Sequence, residues 1–155
     1  MTARIFAGRI VTCDPERATP DDPLGVVADG AVVVEHGRIV AVGEREAVLG
    51  ASRPDADLHA GAGSLVSPGL VDAHTHAPFA GSRHLEYALR MSGAGYEAIA
   101  AAGGGIVSTM RAVRGSTRAD LVGGLAARLH RMAALGVTTV EAKSGYGLDL
   151  EHETK

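Results

Sequence analysis

His74 and His76 are the residues of this 155-residue chain whose type and spacing most directly offer chemistry. They close the run Ser67-Pro68-Gly69-Leu70-Val71-Asp72-Ala73-His74-Thr75-His76. Side chains two apart on an extended strand leave on the same side, so the two imidazoles can be directed to one point. Neutral imidazole is a ligand for zinc, iron or nickel, and a divalent ion held by protein nitrogens activates water near neutral pH. Two histidines supply only part of the three or four ligands such an ion takes, so the pair alone reads more readily as a polar strand end. The other candidates are weaker. His59 has no partner at ligand spacing and is expected on a strand surface, and His130 sits beside an apolar helical stripe. The triple glycine at 103–105 lacks the Gly-Lys-Ser/Thr of a phosphate loop, so close backbone packing or flexibility explains it better than nucleotide binding.

The elements around the pair give it a setting. Pro68-Gly69 is a sharp boundary, and Leu70-Val71 is an apolar entry expected to be buried on both faces. After His76 comes a loop, Ala77-Pro78-Phe79-Ala80-Gly81-Ser82-Arg83, with one proline, one glycine and one cation. Upstream, Arg4 to about Ser67 predicts a small β unit. Val32–Glu35 and Arg38–Val42 are β-branched runs joined by His36-Gly37, a two-residue connection suited to a tight hairpin. Four acidic residues and three prolines from Cys13 to Leu24 predict an exposed loop. A short helix is expected over Glu44–Leu49, stopped by Ser52-Arg53-Pro54, and short strands at Asp57–Ala60 and Leu65-Val66.

Downstream the pattern becomes strand, helix, strand. A helix is expected at Tyr96–Ala102, closed by the glycines. A longer one opens at Thr117, with Asp120 three residues on, carries Leu121, Leu125, Leu129 and Met132, and ends at Gly136. Val137–Glu141 is a β-branched strand leading into Lys143-Ser144-Gly145-Tyr146-Gly147, and Leu148–Lys155 opens a further helix. Two strands joined through helices predict a parallel sheet with both polar ends on one side. That is the sequence grammar of the C-terminal face of a (β/α)8 barrel. Such a barrel takes about 250 residues, so the expectation is an N-terminal piece of a longer protein. The fold class is therefore α/β: residues 1–67 as the N-terminal part of a small β-sandwich domain, and residues 68–155 as the first strand–helix units of an incomplete barrel.

Composition narrows the partners. Apolar residues make up 46% and charged ones 21%, as in a globular chain, and the net charge of −3 shows no basic stripe for nucleic acid. The single cysteine, Cys13, allows no intrachain disulfide. The N-terminus lacks a signal-peptide core and no run is long enough to span a membrane, so the expected location is the cytoplasm and the expected partner a small molecule.

The motifs together resemble a known family. A β segment followed by Pro-Gly-Leu-Val-Asp-x-His-Thr-His resembles the amidohydrolase superfamily. The narrower resemblance is to its imidazolonepropionase family, carried by Phe79-Ala80-Gly81-Ser82-Arg83, by Tyr96 with Ile99 and Gly103-Gly104-Gly105-Ile106, and by Glu141-Ala142-Lys143-Ser144-Gly145-Tyr146-Gly147-Leu148-Asp149. These cover most of Pro68 to Glu151. The resemblance implies hydrolysis of the lactam of 4-imidazolone-5-propanoate to N-formimidoyl-L-glutamate in histidine degradation. It implies His74 and His76 as metal ligands, with zinc or iron as the one divalent ion per full-length subunit. It also implies Arg83 and Tyr146 as substrate-binding residues, Tyr96 as a further candidate, and a homodimer of the full-length chain. Arg83 suits a two-pronged contact with a carboxylate, and Tyr146 offers a hydroxyl donor. The family's remaining ligands, a later histidine and an aspartate, are expected beyond Lys155, and no catalytic acid or base is identified here. Lys143 reads as structural or substrate-facing. A deaminase or another cyclic amidase of the superfamily shares His-Thr-His without requiring the Arg83 and Tyr146 contexts, and an inactive partial chain is the non-enzyme alternative.

Overall fold

A computed structural model describes residues 2–50 and 54–155, which divide into two compact units, Met1–Pro68 and Gly69–Lys155. The first unit is built around β1 (Thr2–Val11). This strand pairs antiparallel with β2 (Val26–Glu35), which pairs antiparallel with β3 (Arg38–Glu44). On its other side β1 pairs in parallel with β4 (Ala56–His59) and β5 (Leu65–Val66), completing one five-stranded sheet. Strand alternation sends Phe6 and Ala7 to opposite faces. Phe6 packs with Ala31, Val33 and Val48, the last from α1 (Arg45–Leu49), while Ala7 packs with Ile10, Val27 and Val32.

The expected hairpin is present. His36 and Gly37 take φ of 50° and 77°, the two left-handed residues of a tight connection whose twist matches the flanking strands, and Glu35 faces Arg38 across it. β2 starts earlier than the Val32–Glu35 run because Val26 to Gly30 are held against β1 and lack the uniform β-branching that marks the rest. The loop from Cys13 to Leu24 and the helix before Leu49 are as expected, whereas the stop at Ser52-Arg53 lies outside the described residues. His59 is exposed on β4 and stacks on Phe6 at 4.9 Å. Arg4 forms a forked pair with Asp57 at 2.8 and 2.9 Å across β1 and β4, and this guanidinium lowers the Asp57 pKa below the usual carboxylate range.

The second unit carries β6 (Leu70–Thr75), α2 (His84–Met91), α3 (Tyr96–Ala101), α4 (Ile106–Gly115), α5 (Arg118–Ala134), β7 (Val137–Ala142) and α6 (Leu150–Thr154). β6 and β7 are parallel, with Leu70 opposite Val137 and Thr75 opposite Ala142. Beyond the ladder Lys143 N–H donates to the Thr75 carbonyl at 2.9 Å, and the Thr75 hydroxyl donates to the Glu141 carbonyl at 2.9 Å. Both strands therefore end level, on the same side.

Two expectations are corrected. Leu70 and Val71 were expected to be buried on both faces, yet they are 56% and 66% exposed, because the described residues of this unit pair β6 with β7 alone and cover only part of the sheet. Helices α2 and α4 had no sequence assignment: α2 is short, and α4 follows the glycine turn directly, without a Ser, Thr, Asp or Asn cap.

α5 begins as its sequence demands. The Thr117 hydroxyl accepts from Asp120 N–H at 3.2 Å, and the Asp120 carboxylate accepts from Thr117 N–H at 3.0 Å, a reciprocal capping box. The Thr117 hydroxyl, which also donates to the Asp120 carboxylate at 2.6 Å, and then the Thr117 N–H lower the Asp120 pKa. Gly136, at φ 89°, ends the helix in the left-handed conformation that favours glycine. Thr117→Ala removes the cap and is expected to lower unfolding stability by about 1 kcal/mol, measured by denaturant titration; an unchanged midpoint would mean the box adds nothing to α5.

Candidate functional site

Parallel pairing brings the segments following β6 and β7 to one end of their sheet, where His74, His76, Arg83 and Tyr146 line a single open hollow of about 830 Å³. His74 and His76 are adjacent, with ring centres 5.3 Å apart and planes at 72°. Two imidazoles sharing one tetrahedral ion at about 2.0–2.1 Å from each nitrogen have ring centres about 5 Å apart, so the pair fits a common ion. The tautomer of His76 suits that role. Its Nδ1 lies 2.8 Å from the Ser144 carbonyl, 68 residues away in the chain. A carbonyl only accepts, so Nδ1 carries the proton and donates, and Nε2 keeps its lone pair. Among the described residues no group of three or more His, Cys, Asp or Glu is gathered for a metal, and the pair by itself could supply two of the three or four ligands such an ion takes.

The loops around His76 are held from several sides. The Tyr146 ring meets His76 edge-on at 5.7 Å, and Phe79 meets Tyr146 at 6.3 Å. Arg128 of α5 sits over Phe79, 3.7 Å from the ring centre, and its Nη1 donates to the Ala77 carbonyl at 2.9 Å. Burial, together with the nearby Arg131 charge, lowers the Arg128 pKa from the usual arginine value. A guanidinium stacked on an aromatic ring and bonded to backbone is worth about 0.5–2 kcal/mol in its ring contact alone. It fastens the loop after β6 to α5.

The loop after β7 carries backbone strain. Tyr146 and Leu148 take φ of 67° and 60°, positions that L residues seldom occupy. Arg114 of α4 restrains it, with Nε donating to the Gly147 carbonyl at 2.8 Å and Nη2 pairing with Asp149 at 2.9 Å. Asp149 also caps α6 by accepting from His152 N–H at 2.8 Å, and these bonds hold its carboxyl below the usual range. Gly145 stands against the His76 ring: a Cβ there would collide with Nδ1 and come within 3.1 Å of Cγ.

Arg83, which immediately precedes α2, donates through Nε to Glu86 at 2.8 Å. Tyr96 is not brought to the hollow. It opens α3, is 70% exposed and lines no part of that surface. Lys143 lies 3.4 Å from Glu141, both exposed. Phe79, Glu86, Arg128 and Gly145 were not singled out from the sequence as working residues. The only signals for them were the motifs in which Phe79 and Gly145 stand.

No protein-family model matches the chain. Curated relatives do. It is 53% identical over 141 residues to an imidazolonepropionase of Cupriavidus taiwanensis, covering 88% of this chain and 33% of the relative. It is 46% identical over 146 residues to that of Shewanella loihica, covering 94% and 35%. The figure is 47% over 155 residues for Symbiobacterium thermophilum, covering 97% and 36%. The chain thus spans about a third of the length of the curated relatives it matches. Among solved structures, an adenosine deaminase from Xanthomonas campestris with bound zinc matches with a TM-score of 0.55 at 23% identity, covering 91% of this chain and 28% of that one. A. niger ochratoxinase matches with a TM-score of 0.55 at 17% identity, covering 94% and 26%. At those identities the structural likeness speaks to a shared mixed α/β fold. By sequence, the chain is similar to the imidazolonepropionases over about a third of their length.

Proposed function

We propose that this chain is part of a metal-dependent hydrolase that opens the lactam of 4-imidazolone-5-propanoate to N-formimidoyl-L-glutamate in histidine degradation. The observation that carries this reading is the 53% identity to an imidazolonepropionase over 88% of the chain. The hollow at the strand ends supports it. Residues 68–155 are then the first strand–helix units of a (β/α)8 barrel, and residues 1–67 part of a small β-sandwich domain. Leu70 and Val71 are covered when the remaining strands complete the barrel.

In this reading His74 and His76 hold zinc or iron, His76 through the Nε2 left free by its bond to Ser144. Such an ion supplies Lewis-acid polarisation of a carbonyl and activation of water at neutral pH. Water adds across the ring amide: its oxygen goes to the carbonyl carbon, the C–N bond breaks and the released nitrogen takes a proton. Arg83 takes the propanoate by charge-assisted hydrogen bonds, and the Tyr146 hydroxyl donates to the substrate. Tyr96 stays a further substrate-binding candidate, although it lines no part of the hollow that the described residues form. A cytoplasmic homodimer of the full-length protein is part of the same proposal; no helix among the described residues is long and apolar enough to cross a membrane.

The natural gene product carrying this chain is expected to turn over 4-imidazolone-5-propanoate. In that protein Arg83→Ala raises KM roughly 10- to 150-fold, the value of a hydrogen bond to a charged group, with metal content unchanged. Steady-state kinetics with elemental analysis checks both halves, and an unaltered KM removes Arg83 from the substrate site.

A further inference from the structure

The carboxylate of Glu86 holds three donors at one oxygen. Arg83 Nε and Nη2 each lie 2.8 Å from Oε2, and Gly105 N–H donates to the same oxygen at 3.0 Å. The pair spans one turn at the start of α2, where residues three apart are neighbours. Glu86 is the more enclosed member, its side chain 16% exposed against 48% for Arg83. The glycine turn is shaped to it. Gly103 and Gly105 take φ of 81° and 76°, and a Cβ at Gly104 would come within 2.9 Å of the Glu86 carboxyl carbon. The Gly105 N–H first, and Arg83 second, hold the Glu86 carboxyl below its ordinary range, so it is charged at neutral pH.

A guanidinium has two edges that can grip a carboxylate: one formed by Nε and Nη2, the other by Nη1 and Nη2. Glu86 occupies the first. The second is left for another oxyanion, and Arg83 is one of the residues lining the hollow that contains His74, His76 and Tyr146. An arginine held on one side by an enclosed carboxylate, itself tied to backbone, loses less rotamer freedom when it binds a second anion.

We propose that Glu86 is the positioning residue for Arg83, anchoring the inner edge of its guanidinium to the 103–105 glycine turn so that the outer edge is aimed at the substrate carboxylate. This rests on the reading of Arg83 as the carboxylate-binding residue. It also gives the triple glycine a purpose: a turn open enough for a carboxylate to reach a backbone N–H.

The test is steady-state kinetics on the full natural gene product with 4-imidazolone-5-propanoate, with bound metal measured alongside. Glu86→Ala is expected to raise KM roughly tenfold while kcat changes less than about threefold and metal content stays the same. Glu86→Gln keeps an acceptor of the same size and is expected to stay within about threefold of the parent KM. In an Arg83→Ala background, Glu86→Ala is expected to add no further rise, since both changes remove one unit. Glu86→Asp keeps the charge but withdraws it by one methylene, so it should raise KM as alanine does; it serves as the second variant if Glu86→Ala does not fold. Equal KM effects of Glu86→Ala with and without Arg83, or a fall confined to kcat or metal content, overturn the positioning role. If Arg83→Ala raises KM and Glu86→Ala and Glu86→Asp do not, the positioning role alone falls. If Arg83→Ala leaves KM unchanged, the carboxylate-binding reading fails and takes the positioning role with it.

Discussion

His76→Ala, made in the full gene product, is expected to lose the bound metal and to lower kcat/KM by about 10³-fold or more. Losing the ion forfeits several kcal/mol of transition-state stabilisation, and each 1.36 kcal/mol is a factor of ten. The expectation rests on geometry around one ring. His76 lies 5.3 Å from His74 centre to centre, and its Nδ1 proton is committed to the Ser144 carbonyl, so the lone pair on Nε2 is the group it can offer. Alanine removes both the ligand and its tether. His76 follows the end of β6 and belongs to no buried cluster, so the variant should keep its far-ultraviolet circular dichroism. Elemental analysis of the purified protein and kinetics decide the matter. A variant retaining one equivalent of metal and activity within tenfold would exclude His76 as a ligand.

Gly145→Val is the second large effect, at a residue that carries no functional group. A Cβ at Gly145 would overlap His76 Nδ1 and stand 3.1 and 3.2 Å from Cγ and Cε1, so the ring must leave its present position. The Ser144 carbonyl that orients the ring is the adjoining backbone group, so the same substitution disturbs the hydrogen bond that selects the tautomer. Loss of an outer-shell partner typically costs 10- to 100-fold in metal affinity or activity, and a misplacement near 1 Å can cost about 10²-fold in rate. The expected result is a folded protein with metal affinity lowered about 10- to 100-fold and kcat lowered about 10²-fold. Competition with a chelator gives the affinity. Parental affinity and kcat in the valine variant would show that the ring has room to spare.

Much of the fold was legible because it is local. The His36-Gly37 hairpin, the Thr117 capping box, the Gly136 stop and the parallel pair of strands all follow from residues within a few positions of one another, or from strand period and connection length. The failures were also physical. Leu70-Val71 reads as a doubly buried strand, but burial depends on what packs over it, and among the described residues its sheet has two strands. Helix α4 starts after Gly105 without a capping side chain, and the Gly105 N–H is satisfied from outside, by the carboxylate of Glu86. No local signal marks such a start.

For the site, the sequence by itself determined that two imidazoles leave one strand on the same side, because the strand period is two, and that a cation and a tyrosine stand in the polar segments after two such strands. Tertiary structure decided what those residues can do. Which nitrogen of His76 is free depends on a carbonyl 68 positions away, and the loop carrying Phe79 is clamped by Arg128, whose bond to Ala77 spans 51. Which edge of Arg83 faces outward depends on Glu86 and a glycine turn 19 residues beyond it. Those partners meet only when the chain has folded, and their hydrogen bonds are short-range and directional, so spacing along the sequence carries no record of them.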